Sequence, residues 1–550
     1  MKAPVGWLRR VPGTAGFGAA AGGLALILLT GSPSGLPVND AGAYHRMVAL
    51  WAEAGHPVLI GWNEMTLLGH LAWGLAARTL GLGSVSALQL LTALQATLVC
   101  VLLALLLSRH GLDQWDAVLT SLVWLAGPVA LFSAVGFMTE VPTAFWAMIW
   151  LASLAAWIRN PRTHWWVAWV AAAVCAFSVR QTALVLPFAT LGAAVAVSAR
   201  RRSILAGAIV AVAADAAIWG YRSTLPLASI RPLAAVWSGA SPSAASWLAV
   251  RHVAEAAVTI GVLLAPLAIA LLLADRGKSL TLRGVVLAGA SALTVLAAGA
   301  SFPFWGNIVT RAGILPDTLP PHSTLPAALS PLMTWALTLA GLASLATLAS
   351  SALSRGVIES PAAASAAFAT VGFLLTVAVA RAPWDRYIVT ALPMATAAIV
   401  LGARRQTRLW KAPAVAILMV GAALSVIAVR GYLARQRAIW ETARGVVASG
   451  VSPQAIDGGF EWNMWHQPVP FHPEEARPPA SGATWYEAYP FTRLRPVVRL
   501  GIGPPPEGWV VVGERRIPGG LTVVVARRPS GGDRAGAARA TVADPAPAAP

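Results

Sequence analysis

Charged side chains are scarce in this sequence. They make up 11% of its 550 residues, against about 25% in an ordinary soluble domain. With 57% hydrophobic residues and a mean hydropathy of +0.66, that scarcity excludes a soluble globular protein. Acids are the rarer sign, 22 Asp and Glu against 40 Lys and Arg, for a net charge of +18. A surplus of cations raises the question of nucleic acid. No Lys/Arg-rich tract with interleaved aromatics is present, however, and no nucleic-acid partner is expected. Cysteine is nearly absent: Cys100 and Cys175 both fall inside apolar runs, so no disulfide framework is expected. P-loop, Rossmann and G-x-S-x-G patterns are all missing, which leaves a nucleotide-driven pump or an α/β-hydrolase unsupported. No internal repeat of fixed period is found.

What is present is a series of apolar runs long enough to cross a bilayer, about thirteen by length and flanks. They fall near 11–31, 84–108, 117–136, 141–158, 165–179, 181–198, 204–221, 253–274, 284–300, 330–353, 361–380, 388–403 and 412–430. The first follows Lys2, Arg9 and Arg10 like a signal peptide. It lacks an A-x-A cleavage site and reads as a retained anchor. Of the 40 cations, 17 lie at the N-terminus or in connections on its side of the membrane, 9 in the connections on the opposite side and 14 from Arg430 onward. The excess on short loops places the N-terminus in the cytoplasm, and an odd number of spans places the tail outside. The 24 Trp suit a membrane-interface belt.

The outer connections are the irregular ones. Residues 32–83 exceed a simple connector, and Tyr44, Met47, Val48, Leu50 and Trp51 form one apolar side of a helix lying in the interface. Asn63 to Leu80 reads as a second such helix. After Arg430 the chain turns polar and aromatic. Trp509–Val512 and Leu521–Val525, with Pro518-Gly519-Gly520 before the second run, read as a β-hairpin. The expected fold is therefore an all-α polytopic membrane module over 1–430, with interfacial helices in the 32–83 loop. A small external α/β domain over 431–526 and a disordered tail over 527–550 follow it.

Candidate chemistry gathers at the outer ends of the spans. Asp40, in Val38-Asn39-Asp40-Ala41-Gly42-Ala43-Tyr44, stands just past the first span; its structural alternative is an N-cap, with Ala43 where a capping box needs Glu or Gln. Glu140, in Phe137-Met138-Thr139-Glu140-Val141-Pro142, also suits a helix N-terminus. Glu53, Glu64 and Asp317 read as solvated loop acids, and Asp215 as an intramembrane acid facing the protein interior. Arg180, in Ser178-Val179-Arg180-Gln181-Thr182, and Arg381 and Arg386, which bracket Ala382-Pro383-Trp384-Asp385, are suited to a lipid-linked phosphate by forked hydrogen bonds. Their alternatives are snorkelling and, for Arg386, pairing with Asp385. His45, His56 and His70 share the first outer loop with Glu53 and Glu64 without the spacing of a tight metal site. The sequence requires no cofactor, and a divalent cation bridging carboxylates and phosphate stays open.

These residues, together with Tyr44, Leu67-Leu68-Gly69-His70-Leu71-Ala72-Trp73 and Asp385-Arg386-Tyr387-Ile388-Val389, resemble the GT-C superfamily of integral-membrane glycosyltransferases. Within it, the group of protein mannosyltransferases and lipid A aminoarabinose transferases is the most similar. The likeness spans roughly residues 10–430, with an external C-terminal domain beyond. It implies a polyprenyl-phosphate-linked sugar as donor, used on the outer face. A lipid, glycan or protein hydroxyl would be the acceptor, with Asp40 as general base and Glu140 beside it. It also implies phosphate binding by Arg180, Arg381 and Arg386, with Tyr44, His70 and Tyr387 in support. Many relatives carry an acidic pair where this chain has Asn39-Asp40. The Ala, Gly and Arg richness fits a GC-rich bacterial genome, hence an inner-membrane location with a periplasmic site. Two rival classes are a flippase or transporter of lipid-linked sugars and a structural partner in an envelope assembly. A transporter is expected to carry paired or inverted repeats.

Overall fold

The computed structural model describes residues 13–60, 65–226, 241–274, 280–297, 308–310, 313–314, 330–353, 357, 359–378, 385–403, 408–466, 497–502, 508–516 and 522–527. The first ten α-helices are α1 Gly13–Leu29, α2 Ala41–Ala54, α3 Leu68–Thr79, α4 Val85–Arg109, α5 Gln114–Ala126, α6 Pro128–Ala134, α7 Glu140–Arg159, α8 Thr163–Val179, α9 Val185–Ala196 and α10 Arg201–Thr224. Helices Pro242–Leu263, Ala265–Ala274, Leu282–Ala297, Pro331–Ala352, Pro361–Ala378, Ala391–Gly402, Ala412–Ala448 and Phe460–His466 follow. Among the described residues seven helices are long and apolar enough to cross a bilayer, or eight if the bent pair α5–α6 counts as one span. Shorter apolar helices, α1 and α8 among them, complete the bundle, and each expected apolar run coincides with helix.

Three expected spans take a different shape. The run 117–136 breaks at Gly127, where α5 and α6 meet at 79°. Pro128 has no N–H to donate and holds Gly127 extended at ψ 143, so the helix restarts in a new direction. The run 253–274 begins earlier, at a Ser241 cap whose hydroxyl accepts from the Ala244 N–H, and divides into Pro242–Leu263 and Ala265–Ala274. The run 388–403 is a short helix, Ala391–Gly402, buried on every face: a core element and not a lipid-facing span.

Small residues let the helices meet backbone to backbone. A Cβ on Gly192 of α9 would lie 2.8 Å from the Ala364 carbonyl carbon, and one on Gly261 would lie 2.9 Å from that of Gly341. Such close crossings characterise bundles in lipid, where packing replaces the hydrophobic drive of water. Exposed Phe17, Ile209, Leu293, Leu375 and Ile427 supply the apolar outer surface. At the end of the bundle where α4 finishes and α5 starts, Asp116 accepts the backbone N–H groups of Leu409 (2.6 Å) and Trp410 (3.2 Å), pinning that connection.

The apolar side of α2 does not face lipid. Tyr44, Met47 and Val48 are buried against Leu71, Phe137, Phe460 and Met464, because α3 and the helix Phe460–His466 occupy that side. The helix Ala412–Ala448 runs 37 residues without a break, so the expected boundary at 430 falls inside it. Its far end packs Ile439, Trp440 and Ala443 on a four-stranded sheet, whose strands follow the short antiparallel pair β1 Val309–Thr310 and β2 Gly313–Ile314 in the chain; the sheet order is β3-β4-β6-β5, made of β3 Ile456–Asp457, β4 Val498–Ile502, β5 Val510–Arg516 and β6 Thr522–Arg527. The expected hairpin is the antiparallel pair β5–β6, with a register shift between Val511 and Gly513. Its turn at 518–520 and the tail beyond Arg527 lie outside the described residues.

Candidate active site

Four charged side chains from distant parts of the chain converge in the protein interior. Asp40 precedes α2, Glu140 opens α7, Arg180 closes α8, and Arg386 lies in the 3-10 turn Asp385–Ile388. Antiparallel helices bring these ends to one side of the bundle. The break at Gly127–Pro128 adds to this, since α6 and the residues after it turn inward and deliver Glu140 to the core. None of the four is more than 6% exposed.

Arg180 Nη1 donates to Glu140 Oε1 at 2.6 Å and to the Thr139 hydroxyl at 3.0 Å. Arg386 Nη1 lies 2.8 Å from Asp40 Oδ2, and its Nε 3.4 Å from Glu140 Oε1. The cluster is therefore two carboxylates neutralised by two guanidinium groups. The Arg386 contacts are ion pairs without hydrogen-bond alignment: among the described residues its Nε and Nη1, and Glu140 Oε2, have no hydrogen-bond partner. Unused donors on a buried guanidinium mark capacity for an additional oxygen ligand. Burial works against the charge of Arg386, but Asp40 and Glu140 outweigh it and hold the group protonated above its ordinary range.

The N-cap alternative for Asp40 does not hold. Among the described residues its side chain caps no N–H of α2 and turns instead to Arg386. The loop that carries it is fixed from α4: Gln89 Oε1 accepts the N–H groups of Ser34 and Gly35, and Gln89 Nε2 donates to the Leu36 carbonyl at 2.7 Å. Asn39 sits at φ 51, the left-handed region that Asn tolerates better than most residues, and this turns Asp40 inward. Tyr44 Oη donates to Asp40 Oδ2 at 3.4 Å, and burial, followed by the Asp40 charge, holds that phenol protonated well above its usual range.

The supporting residues pack around the same cluster. The Tyr387 ring lies under the Arg180 guanidinium at 4.7 Å and that of Arg386 at 5.8 Å. His70 stacks on Phe137 with ring centroids 4.0 Å apart and meets Tyr44 edge-on; burial pushes its pKa down to about 3, so it is neutral at physiological pH. Gly69 lets α3 approach α8 closely, since a Cβ there would lie 3.2 Å from the Ser178 carbonyl carbon.

Asp385 does not pair with Arg386 as its sequence neighbour. Fully buried, it accepts backbone N–H groups from Ile308 (3.0 Å) and Val309 (2.7 Å), fastening that segment beside the cluster. Arg381, Glu64 and Asp317 lie outside the described residues. Asp215 is buried in α10, and no hydrogen bond or ion pair among the described residues links it to the cluster. No group of three or more His, Cys, Asp or Glu suited to a metal ion occurs among the described residues.

Two contributors have no local signal in the sequence. Gln89 lies in the first turns of an apolar run. Glu461 accepts the Asn39 N–H from 422 positions away.

No family model matches the sequence, and no curated protein matches it. Two solved structures are similar at low identity. One is the oligosaccharyltransferase AglB from Archaeoglobus fulgidus in complex with an inhibitory peptide and a dolichol-phosphate, at 13% identity and a TM-score of 0.40. That match covers 77% of this chain and 56% of AglB, so the chain spans little more than half of AglB's length. The other is ArnT from Cupriavidus metallidurans bound to undecaprenyl phosphate, at 14% identity and a TM-score of 0.39, covering 92% of this chain and 97% of ArnT.

Proposed function

We propose that this integral membrane protein is a glycosyltransferase of the GT-C type, a hexosyl- or pentosyltransferase. It moves a sugar from a polyprenyl-phosphate donor to an acceptor hydroxyl on a lipid, glycan or protein. The observation that carries this reading is the buried convergence of Asp40 and Glu140 with Arg180 and Arg386. Asp40 takes the proton of the acceptor hydroxyl as its oxygen bonds to the anomeric carbon. The bond from that carbon to the phosphate oxygen breaks, with inversion, and the polyprenyl phosphate leaves as an anion. General-base assistance of this kind contributes about 10²–10⁴-fold. Arg180 and Arg386 stabilise the departing phosphate where water is excluded and their charge is least screened, and the sequence adds Arg381 as a further phosphate ligand. A phosphate that draws Arg386 to itself also frees the Asp40 carboxylate to act as base. Glu140 holds both guanidinium groups in place.

Each carboxylate already faces a guanidinium, so no step in this scheme passes through a metal ion. The Lys/Arg distribution supports a cytoplasmic N-terminus and a site on the opposite, periplasmic side of a bacterial plasma membrane. The test is transfer from polyprenyl-phosphate-linked sugars by purified protein. Asp40→Asn and Asp40→Ala, folded as wild type, are expected to lose at least about 100-fold in kcat. Near-normal turnover in both overturns the assignment.

A further inference from the structure

We propose that Glu461, far beyond the helical bundle in sequence, is a positioning residue for Asp40, so that the segment 456–466 is part of the site. For its catalytic consequence this rests on the transferase reading. Glu461 is 1% exposed and lies between three donors. Its Oε1 accepts the Asn39 N–H at 3.4 Å and the Tyr432 hydroxyl at 2.5 Å, and Gln436 Nε2 lies 3.4 Å from Oε2. Tyr432 and Gln436 belong to the long helix Ala412–Ala448, so the carboxylate is oriented by one element and grips another.

What it grips is the turn that aims the base. Asn39 adopts φ 51, a conformation that costs free energy for any residue with a Cβ and persists only when its surroundings impose it. The Glu461 bond falls on the N–H of that residue, one position before Asp40. Around it, Phe460 and Met464 pack with Tyr44 and Met47, and Gly42 leaves its Cβ position 3.8 Å from the Glu461 carbonyl oxygen. Gln89 holds the loop at 34–36 from one side, and Glu461 holds it at 39 from the other. Without the second hold, Asn39 is free to relax to negative φ, which rotates Asp40 away from Arg386. A misplacement of about 1 Å in such a group costs on the order of 100-fold in rate.

The experiment uses the full chain in lipid nanodiscs and compares Glu461→Ala, Glu461→Gln and, as a control on the long helix, Glu441→Ala. Glu441 pairs with Arg515 at 2.8 Å near the surface. Hydrogen exchange of backbone amides over 36–44 reports the turn whether or not substrate is known. Glu461→Ala is expected to speed exchange there about tenfold or more. It is also expected to lower kcat about 10–100-fold with undecaprenyl-phosphate-linked sugars, leaving donor KM within about threefold. Glu461→Gln keeps an oxygen for the Asn39 N–H and restores most of both readouts. Glu441→Ala matches wild type. Wild-type exchange over 36–44 in folded Glu461→Ala overturns the proposal, and so does equal impairment in the Ala and Gln variants. Should Glu461→Ala fail to fold, Tyr432→Phe removes the orienting hydroxyl alone and is expected to give the same pattern at smaller size; no change in it overturns the proposal. Absence of transfer in wild type, with exchange still quickened by Glu461→Ala, removes the transferase reading and leaves the positioning role standing.

Discussion

The four-charge cluster makes a quantitative prediction through the pair Asp40–Arg386. At 2.8 Å, an effective dielectric constant of about 20 gives a Coulomb attraction of about 6 kcal/mol, before the cost of removing both ions from water. Asp40→Asn deletes one charge and leaves the cluster at +1, with Arg386 sharing Glu140 against Arg180. Arg386→Gln leaves it at −1. Each single variant strands a buried charge and is expected to destabilise the protein by about 3–5 kcal/mol. The double variant restores neutrality, and its cost is expected to fall short of the summed single costs by about 2–4 kcal/mol. Equilibrium unfolding in a fixed mixed-micelle composition, run on all four proteins, measures this coupling. Additivity within about 0.5 kcal/mol refutes the view that these two side chains neutralise each other in the interior.

Two further outcomes test other parts of the fold. Burial lifts Asp385 from its ordinary 3.8 to about 6 against three backbone N–H groups, so between those pH values the native state holds a proton that the unfolded chain has released. Stability from this group is then present below pH 3.8 and lost as pH rises through about 6, a change of about 3 kcal/mol. Denaturant unfolding of wild type and Asp385→Asn across pH 4–7 should show the variant gaining on wild type by about that amount, and parallel curves refute it. Gly192→Ala places a Cβ 2.8–2.9 Å from the backbone of Ala364 and Ser365 and is expected to cost about 1–3 kcal/mol. Gly220→Ala, with nothing within 4 Å, is expected to be neutral or stabilising by up to about 1 kcal/mol; thermal midpoints in one detergent separate the two.

Much of the site was legible because apolar runs alternate in direction. Residues just past the first run, before the fourth and after the fifth must share a face, and Asp40, Glu140 and Arg180 do. The pairing within the cluster was not legible. Asp385 and Arg386 are adjacent, yet successive side chains in a tight turn point apart, and the acid went to Ile308 and Val309 instead. An Asp before a helix reads as a cap, but a guanidinium in a water-poor interior attracts a carboxylate more strongly than a backbone N–H does. A hydropathy window does not see Gly127–Pro128 as a corner, because both residues sit comfortably in an apolar run. Glu461 lies in an aromatic stretch with no periodicity, and only tertiary packing brings it to Asn39.

The 37-residue helix Ala412–Ala448 is about 55 Å long, whereas the hydrocarbon layer is about 30 Å thick. Its uncharged stretch ends at Arg430, so the same rod continues well past the lipid before reaching the sheet. A flexible tether would isolate the sheet from the bilayer, but an unbroken helix makes tilt in one equal to tilt in the other. Tyr432 and Gln436, which orient Glu461, lie on this rod within about two turns of Arg430. The clasp over Asn39 is thus mounted on the same rigid rod that is seated in the bilayer.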